Sequence, residues 1–300
     1  MAGRFVQGLG GAAVMVVPRA IIRDLHTGHQ ATRMMAAIML VISISPFLAP
    51  LAGAGLMAIS SWRAIFGVLA LAAFASLAMT RFMLDETLAP KDRQPVSLSA
   101  IWQGTKTLMT HRGFLGLTFL GGFAMASFFV FIASASFVYT SAFGLTPTQF
   151  SLAFAVNALG FFASSQLAAG LGQRHGGSTV MAWATAGFAL VTVGLFALAL
   201  AGISGLWITI VGLFLANACL GLVIPTAMVM ALEEHGEIAG LASSLGGTLQ
   251  MLTGGVIIAA MGPFFDGTVL PMLAAIALCG VLAFILSRVV AATPALQSSP

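Results

Sequence analysis

Apolar residues run along this chain in long blocks separated by short polar breaks. A membrane-spanning helix needs about 20 mostly apolar residues. Nine blocks qualify, at about 2–18, 35–59, 62–84, 114–142, 147–170, 178–201, 206–232, 239–261 and 268–291. The breaks between them carry helix-start chemistry. Thr27-x-x-Gln30 precedes the second block, and Thr146-Pro147-Thr148-Gln149 precedes the fifth. In each, a hydroxyl faces a Gln three residues on, the pattern of a capping box. Pro147 also suits a first helical position. The expected fold is an all-α integral membrane protein with nine transmembrane helices.

The second block holds Pro46 and Pro50, together with Ser45, Ala49 and Gly53 at i, i+4 and i+8. In a soluble helix each proline would cost about 3 kcal/mol. In a bilayer, neighbouring helices re-satisfy the freed backbone groups. The small residues make a ridge that another backbone can approach. Two readings stand: a kinked packing face, or a helix that moves in a transporter. Both predict a bend over 45–51 and a close partner along 45, 49 and 53.

Composition supports the membrane assignment. Of the 300 residues 59% are hydrophobic and 7% charged, against about 25% charged in soluble domains. Cys219 and Cys279 both lie inside apolar blocks, with no disulfide or metal spacing. The net charge of +4 matters by position. Alternating the loops across the membrane puts Arg19, Arg23, Arg33, Arg81, Lys91, Arg93, Lys106, Arg112, Arg174 and Arg288 on one side and Arg63 alone on the other. That asymmetry marks the first side as cytoplasmic. It makes 19–33, 85–113, 171–177 and 233–238 cytoplasmic loops, with the C-terminus on the same side.

Segment 85–113, with Pro90, Pro95 and seven charged residues, divides the chain. The expected organisation is a partial N-terminal half at 1–84, a cytoplasmic linker at 85–113, a six-helix half at 114–291 and a tail at 292–300. Residues 97–109 are either a helix on the membrane surface or a solvated linker.

Enzyme chemistry is missing from the pattern. There is no His-Glu-x-x-His pair, Gly-x-Ser-x-Gly elbow or phosphate-binding loop. The histidines, His26, His29, His111, His175 and His235, fall at or beyond block ends and are expected in solvated loops. No nucleic-acid signature is present, no metal site is expected, and the basic residues are topology signals. Polar residues well inside the blocks are few: Gln7, Asn157, Gln166, Asn217 and Gln250. Met125, Phe128, Phe129, Phe131 and Tyr139 enrich the fourth block, a surface suited to variable apolar ligands or to ordinary packing. Met125, Phe129, Asn157, Asn217 and Gln250 are the substrate-cavity candidates.

Several strings resemble the major facilitator superfamily. Ser45-x-x-x-Ala49-Pro50-x-x-Gly53-Ala54 is similar to its antiporter motif, Gly-x-x-x-Gly-Pro-x-x-Gly-Gly, with Ser and Ala replacing glycines. Arg4-x-x-Gln7-Gly8-x-Gly10-Gly11-Ala12 resembles the family's fourth-helix motif. Joined to Arg19-Ala20-Ile21-Ile22-Arg23-Asp24 and Trp62-Arg63-Ala64-Ile65-Phe66, this order resembles the bicyclomycin- and chloramphenicol-resistance (Bcr/CflA) branch of drug exporters. Ala169-Gly170-Leu171-Gly172-Gln173-Arg174-His175-Gly176 resembles the family's loop signature, with Gln173 replacing an Asp. Residues 240–250 resemble the branch's glycine-rich eleventh helix.

The resemblance implies helices four to twelve of a twelve-helix fold, with the first three absent. It implies export of small amphipathic drugs across a bacterial inner membrane in exchange for protons, with no cofactor beyond the proton gradient. A metabolite exporter and a non-transporting membrane fragment are the alternatives. Arg4 and Gln7 become proton-coupling or cavity candidates, although Arg4 also suits an anchor at the membrane edge. Arg174 and Gly176 become a cytoplasmic gate candidate, or a simple anchor. No Asp or Glu lies well inside any block. The chain as it stands is therefore expected not to perform proton-coupled export, and 114–291 to hold its shape better than 1–84. Substrate and oligomeric state are left open by the sequence.

Overall fold

A computed structural model describes residues 2–25, 34, 41, 45, 48–49, 51–84, 97–233, 235 and 238–292. Among them every regular element is helical. The chain divides into two compact units, 1–96 and 97–300.

In the first unit, α1 spans Ala2–Leu25 and α2 spans Trp62–Met83. The helix α1 runs on past the expected end at 18, with Pro18 inside it. At the start of α2 the Arg63 guanidinium lies 4.5 Å from the centre of the Trp62 ring. That contact suits a cation and an aromatic at a membrane edge. None of the side chains of α2 is buried. Residues 51–59 are helical, but Pro46, Phe47 and Pro50 of the expected bend lie outside the described residues. So does the capping box at Thr27 and Gln30. The expected close partner along the small-residue ridge is not found among the described residues. Ser45 and Ala49 are exposed, and a Cβ on Gly53 would meet nothing within 4 Å. A smooth ridge permits a neighbour; it does not supply one.

The second unit begins with α3, Leu98–Thr110, whose Ser97 hydroxyl accepts the Ala100 N–H at 3.2 Å. The stretch is helical, as the membrane-surface reading requires. It buries Leu108 completely and exposes Leu98, Ile101 and Trp102. Six longer helices follow: α4 (Arg112–Phe137), α5 (Pro147–His175), α6 (Gly177–Leu200), α7 (Leu206–Glu233), α8 (Ala239–Met261) and α9 (Val269–Ala291). A π-helical turn, Val138–Ala142, extends α4. Seven described helices, α2 and α4–α9, are long and apolar enough to cross a membrane, and α1 contributes the shorter apolar stretch Phe5–Val14.

Local chemistry sets the ends. Thr146 and Gln149 close the capping box reciprocally, at 3.0 and 3.3 Å. Thr146→Ala is expected to lower stability by about 1 kcal/mol, seen as a lower melting temperature of the detergent-solubilised protein. The expected loop at 171–177 is absent. The helix α5 continues to His175, and Gly176 alone, at φ 81°, turns the chain into α6. Only glycine adopts that backbone without strain. Between α8 and α9, Asp266 accepts both the hydroxyl and the N–H of Thr268, which holds its carboxyl below the usual range.

Contacts among the six helices follow a rule. The main pairs are α5 with α7, α4 with α8, α4 with α9, α6 with α7, and α6 with α9. Exchanging the triple α4-α5-α6 for α7-α8-α9 turns α5·α7 into α8·α4 and α4·α9 into α7·α6. Equivalent members are offset by three helices, an odd number, so the two triples run in opposite directions. This is the inverted-repeat construction of many membrane transporters.

Candidate functional site

The α4–α8 seam gathers three of the five cavity candidates. Gly121, Met125 and Phe129 follow one another at i, i+4 and i+8 on α4. Gln250 and Gly254 stand one turn apart on α8. The seam interlocks side chain over glycine. A Cβ on Gly121 would come 2.6 Å from Gln250 Nε2, and one on Gly254 would come 2.6 Å from Phe129 Cδ2. Thr253 occupies the notch at Gly122 in the same way. Met125, Phe129 and Gln250 are each half-buried. The seam offers a carboxamide able to donate and accept, a polarizable thioether and an aromatic face. Toward its exposed side, Ser244 and Thr248 return their hydroxyls to the carbonyls of Leu241 and Ser244.

Asn157 and Asn217 lie elsewhere, in the interior of the six-helix bundle. Asn157 has no exposed surface and donates Nδ2 to Ala153 O at 2.9 Å. Asn217 is 3% exposed and makes the same bond to Leu213 O. The Tyr139 hydroxyl, in the π-helical turn, lies near the Asn157 carboxamide. The pair does not close a hydrogen bond of ordinary geometry, and Tyr139 Oη and Asn157 Oδ1 both stay unpaired. Gln166 is exposed.

Thr118, on α4 beside Gly246, was not singled out by the sequence. A threonine in a helix usually returns its hydroxyl to the turn before, and Thr253 does so toward Leu249. The Thr118 hydroxyl is buried without a partner. Nothing in the local sequence separates the two.

At the opposite end of the bundle from Tyr139, two histidines depart from the solvated loops expected of them. His111 Nδ1 accepts the Phe114 N–H at 3.1 Å and caps α4. The His235 ring meets the His111 ring edge-on, at 4.8 Å between centres, and lies 5.6 Å from Phe114. Both are half-buried, because His235 packs against His111 and Phe114 at the start of α4. His175 remains exposed, against Trp183.

Arg174 is exposed on the last turn of α5, where its charge suits the helix C-terminus. No ion pair joins it to a carboxylate among the described residues. In the first unit α1 carries Arg4 and Gln7 at i and i+3, and Gln7 is exposed. No group of three or more His, Cys, Asp or Glu side chains is arranged to hold a metal ion among the described residues.

Long apolar helices in inverted triples define a polytopic membrane carrier. Its sequence matches the Major Facilitator Superfamily over residues 1–257, and the chain belongs to that family. It is thus a multi-pass membrane transporter and not an enzyme. It is similar to an uncharacterized MFS-type transporter, YdgK, of Bacillus subtilis, 29% identical over 275 residues covering 91% of this chain and 68% of the relative. A bicyclomycin resistance protein homolog of Haemophilus influenzae is 29% identical over 279 residues, covering 93% of this chain and 70% of the relative. The multidrug resistance protein MdtL of Escherichia coli is 34% identical over 87 residues, 29% of this chain and 22% of its own.

Proposed function

We propose that this transporter exports small amphipathic drugs in exchange for protons. It would sit in a bacterial cytoplasmic membrane with its C-terminus and the Gly176 turn inside. The observation that carries the reading is the α4–α8 seam. Its one carboxamide, one thioether and one phenyl ring suit apolar ligands of varied shape, which need soft contact and a single polar anchor. Relatives named for bicyclomycin and multidrug resistance support the same substrate class. Met125, Phe129 and Gln250 contact substrate in this scheme. Asn157 and Asn217 act behind them, by holding α5 and α7.

The remaining roles rest on the motifs. Arg4 and Gln7 on α1 would serve proton coupling or the cavity. Ser45, Ala49, Pro50 and Gly53 would form the antiporter helix, and Arg174 with Gly176 the cytoplasmic gate. Residues 1–84 and 114–291 would be parts of two moving halves, with 85–113 as the linker and 292–300 as a cytoplasmic tail.

The test is efflux. The chain is expressed beside a version extended with upstream helices in a drug-sensitive, exporter-deleted bacterium, and accumulation of a fluorescent amphipathic dye is followed with and without a protonophore. The expected result is lower accumulation with the extended form, abolished by the protonophore, and no such change with the chain alone. Gln250→Ala together with Phe129→Ala should reduce efflux several-fold without reducing protein in the membrane. Accumulation with the extended form equal to that of the empty vector would overturn the proposal.

A further inference from the structure

A second cleft lies away from the α4–α8 seam. It opens between the last turns of α5 and α7, with Gly177 at the start of α6 as its third wall. Its volume is about 420 Å3, within the range of about 300–1,000 Å3 that small-molecule sites occupy. The sequence builds it from two helical faces. On α5, Ser165, Ala168 or Ala169, and Gln173 recur at helical spacing. On α7 the recurring positions are Pro225, Val229 and Glu233. Pro225 cannot donate to the carbonyl four residues back and so loosens α7 there. Deeper in the bundle the same two helices are pressed together at Gly221 and Phe161. The cleft begins where that contact ends.

Its chemistry is one-signed. Ala168, Val229 and the Met230 thioether supply an apolar wall. Gln173 and Thr226 supply neutral polar groups, and among the described residues the Glu233 carboxylate is the only charged side chain lining it. Two helix C-termini, of α5 and α7, add partial negative charge, against one N-terminus of opposite sign from α6. Arg174 lies next to Gln173 in sequence but does not line the cleft. The turn after α7 carries two more carboxylates in its sequence, Glu234 and Glu237. A larger cleft between α6 and α7, of about 550 Å3, is lined by Leu, Val, Ile, Gly and Trp207 and holds no group that would select a ligand.

We propose that the α5–α7 cleft binds amphipathic cations, an aromatic or aliphatic body against Val229 and Met230 with its positive charge facing Glu233. Binding here is independent of the export reading. Only the cleft's use as a reception site for cationic substrates rests on it. The test measures binding, so failure of transport and failure of this site are separate results.

Purified chain in detergent is titrated with tetraphenylphosphonium and, in parallel, with triphenylphosphine oxide, a neutral compound of similar bulk. Wild type should bind the cation at least 10-fold more tightly than the neutral compound. Glu233→Gln should remove that preference while leaving neutral binding within twofold. Val229→Trp, a substitution at an exposed position, should fill the cleft and lower affinity for both. Melting temperatures within a few degrees of wild type establish that the variants fold. Equal affinity of wild type and Glu233→Gln for tetraphenylphosphonium would overturn the proposal. So would unchanged binding in Val229→Trp, or a gain of 10-fold or more in Arg174→Ala, which would mean that Arg174 already neutralises Glu233 in solution.

Discussion

Replacing Gly221 with valine is expected to unfold the six-helix bundle or leave it barely stable. The α5–α7 contact is made by glycines on both helices against backbone. A Cβ on Gly160 would come 2.9 Å from the Phe214 carbonyl oxygen. A Cβ on Gly221 would run into the Phe161 carbonyl and the Ser164 hydroxyl. Ser164 is already turned back onto the carbonyls of Gly160 and Phe161. A backbone oxygen inside a helix cannot swing aside, so relief requires the helices to part. Overpacking ordinarily costs about 1–3 kcal/mol, and a branched side chain against main chain should exceed about 3 kcal/mol. Gly194→Ala is the control, because a Cβ there meets nothing within 4 Å. Heating the solubilised variants and measuring the monodisperse fraction separates them. Equal midpoints for Gly221→Val and Gly194→Ala would refute the contact as described.

The second large effect is expected at Asn157, where shape is nearly constant and charge is not. Asn157→Asp removes the Nδ2–H that Ala153 O accepts and places an ionisable group where there is no exposed surface. An aspartate near the middle of a membrane helix costs about 2.5–3.5 kcal/mol on insertion scales. The Tyr139 hydroxyl lies near enough to offset part of it. Asn157→Leu instead removes an acceptor that had no partner and should change stability by less than about 1 kcal/mol. Adding Tyr139→Phe to Asn157→Leu should be neutral or stabilising, since both orphaned polar atoms then disappear. Midpoints of thermal denaturation decide the matter. Asn157→Asp as stable as Asn157→Leu would show that the site is wetter than its burial implies.

Element types and several element starts were legible in the sequence, because apolar block length and capping chemistry are local, whereas the ends of α1 and α5 lie beyond those the pattern gives. The starts of α2, α5 and α7 fall where the pattern puts them, and the Thr146 box closes as expected. Which face of each helix turns inward was not legible. In a soluble protein the buried face is apolar and the outer face polar. In lipid both are apolar, and the periodic signal fades. Asn157 and Gln250 therefore looked alike from sequence, although one is sealed inside the bundle and the other lies half-exposed on a seam. The same limit hid Gly160 and Gly221 among 34 glycines, since what makes them matter is carried by Phe214 and Phe161 on the opposing helix. His111 and His235 were misjudged for a related reason. A block-end histidine looks solvated until the distant turn that covers it is known.

The exchange of triples that relates α5·α7 to α8·α4 preserves position but not stiffness. At α5·α7 the glycines bear on carbonyl groups fixed in a helix. At α4·α8 they bear on the ends of Gln250, Thr253 and Phe129, which have rotamers to spare. One joint is a weld and its mirror is a sliding fit. Any adjustment between helices of the bundle should therefore fall at α4 and α8 before it falls at α5 and α7.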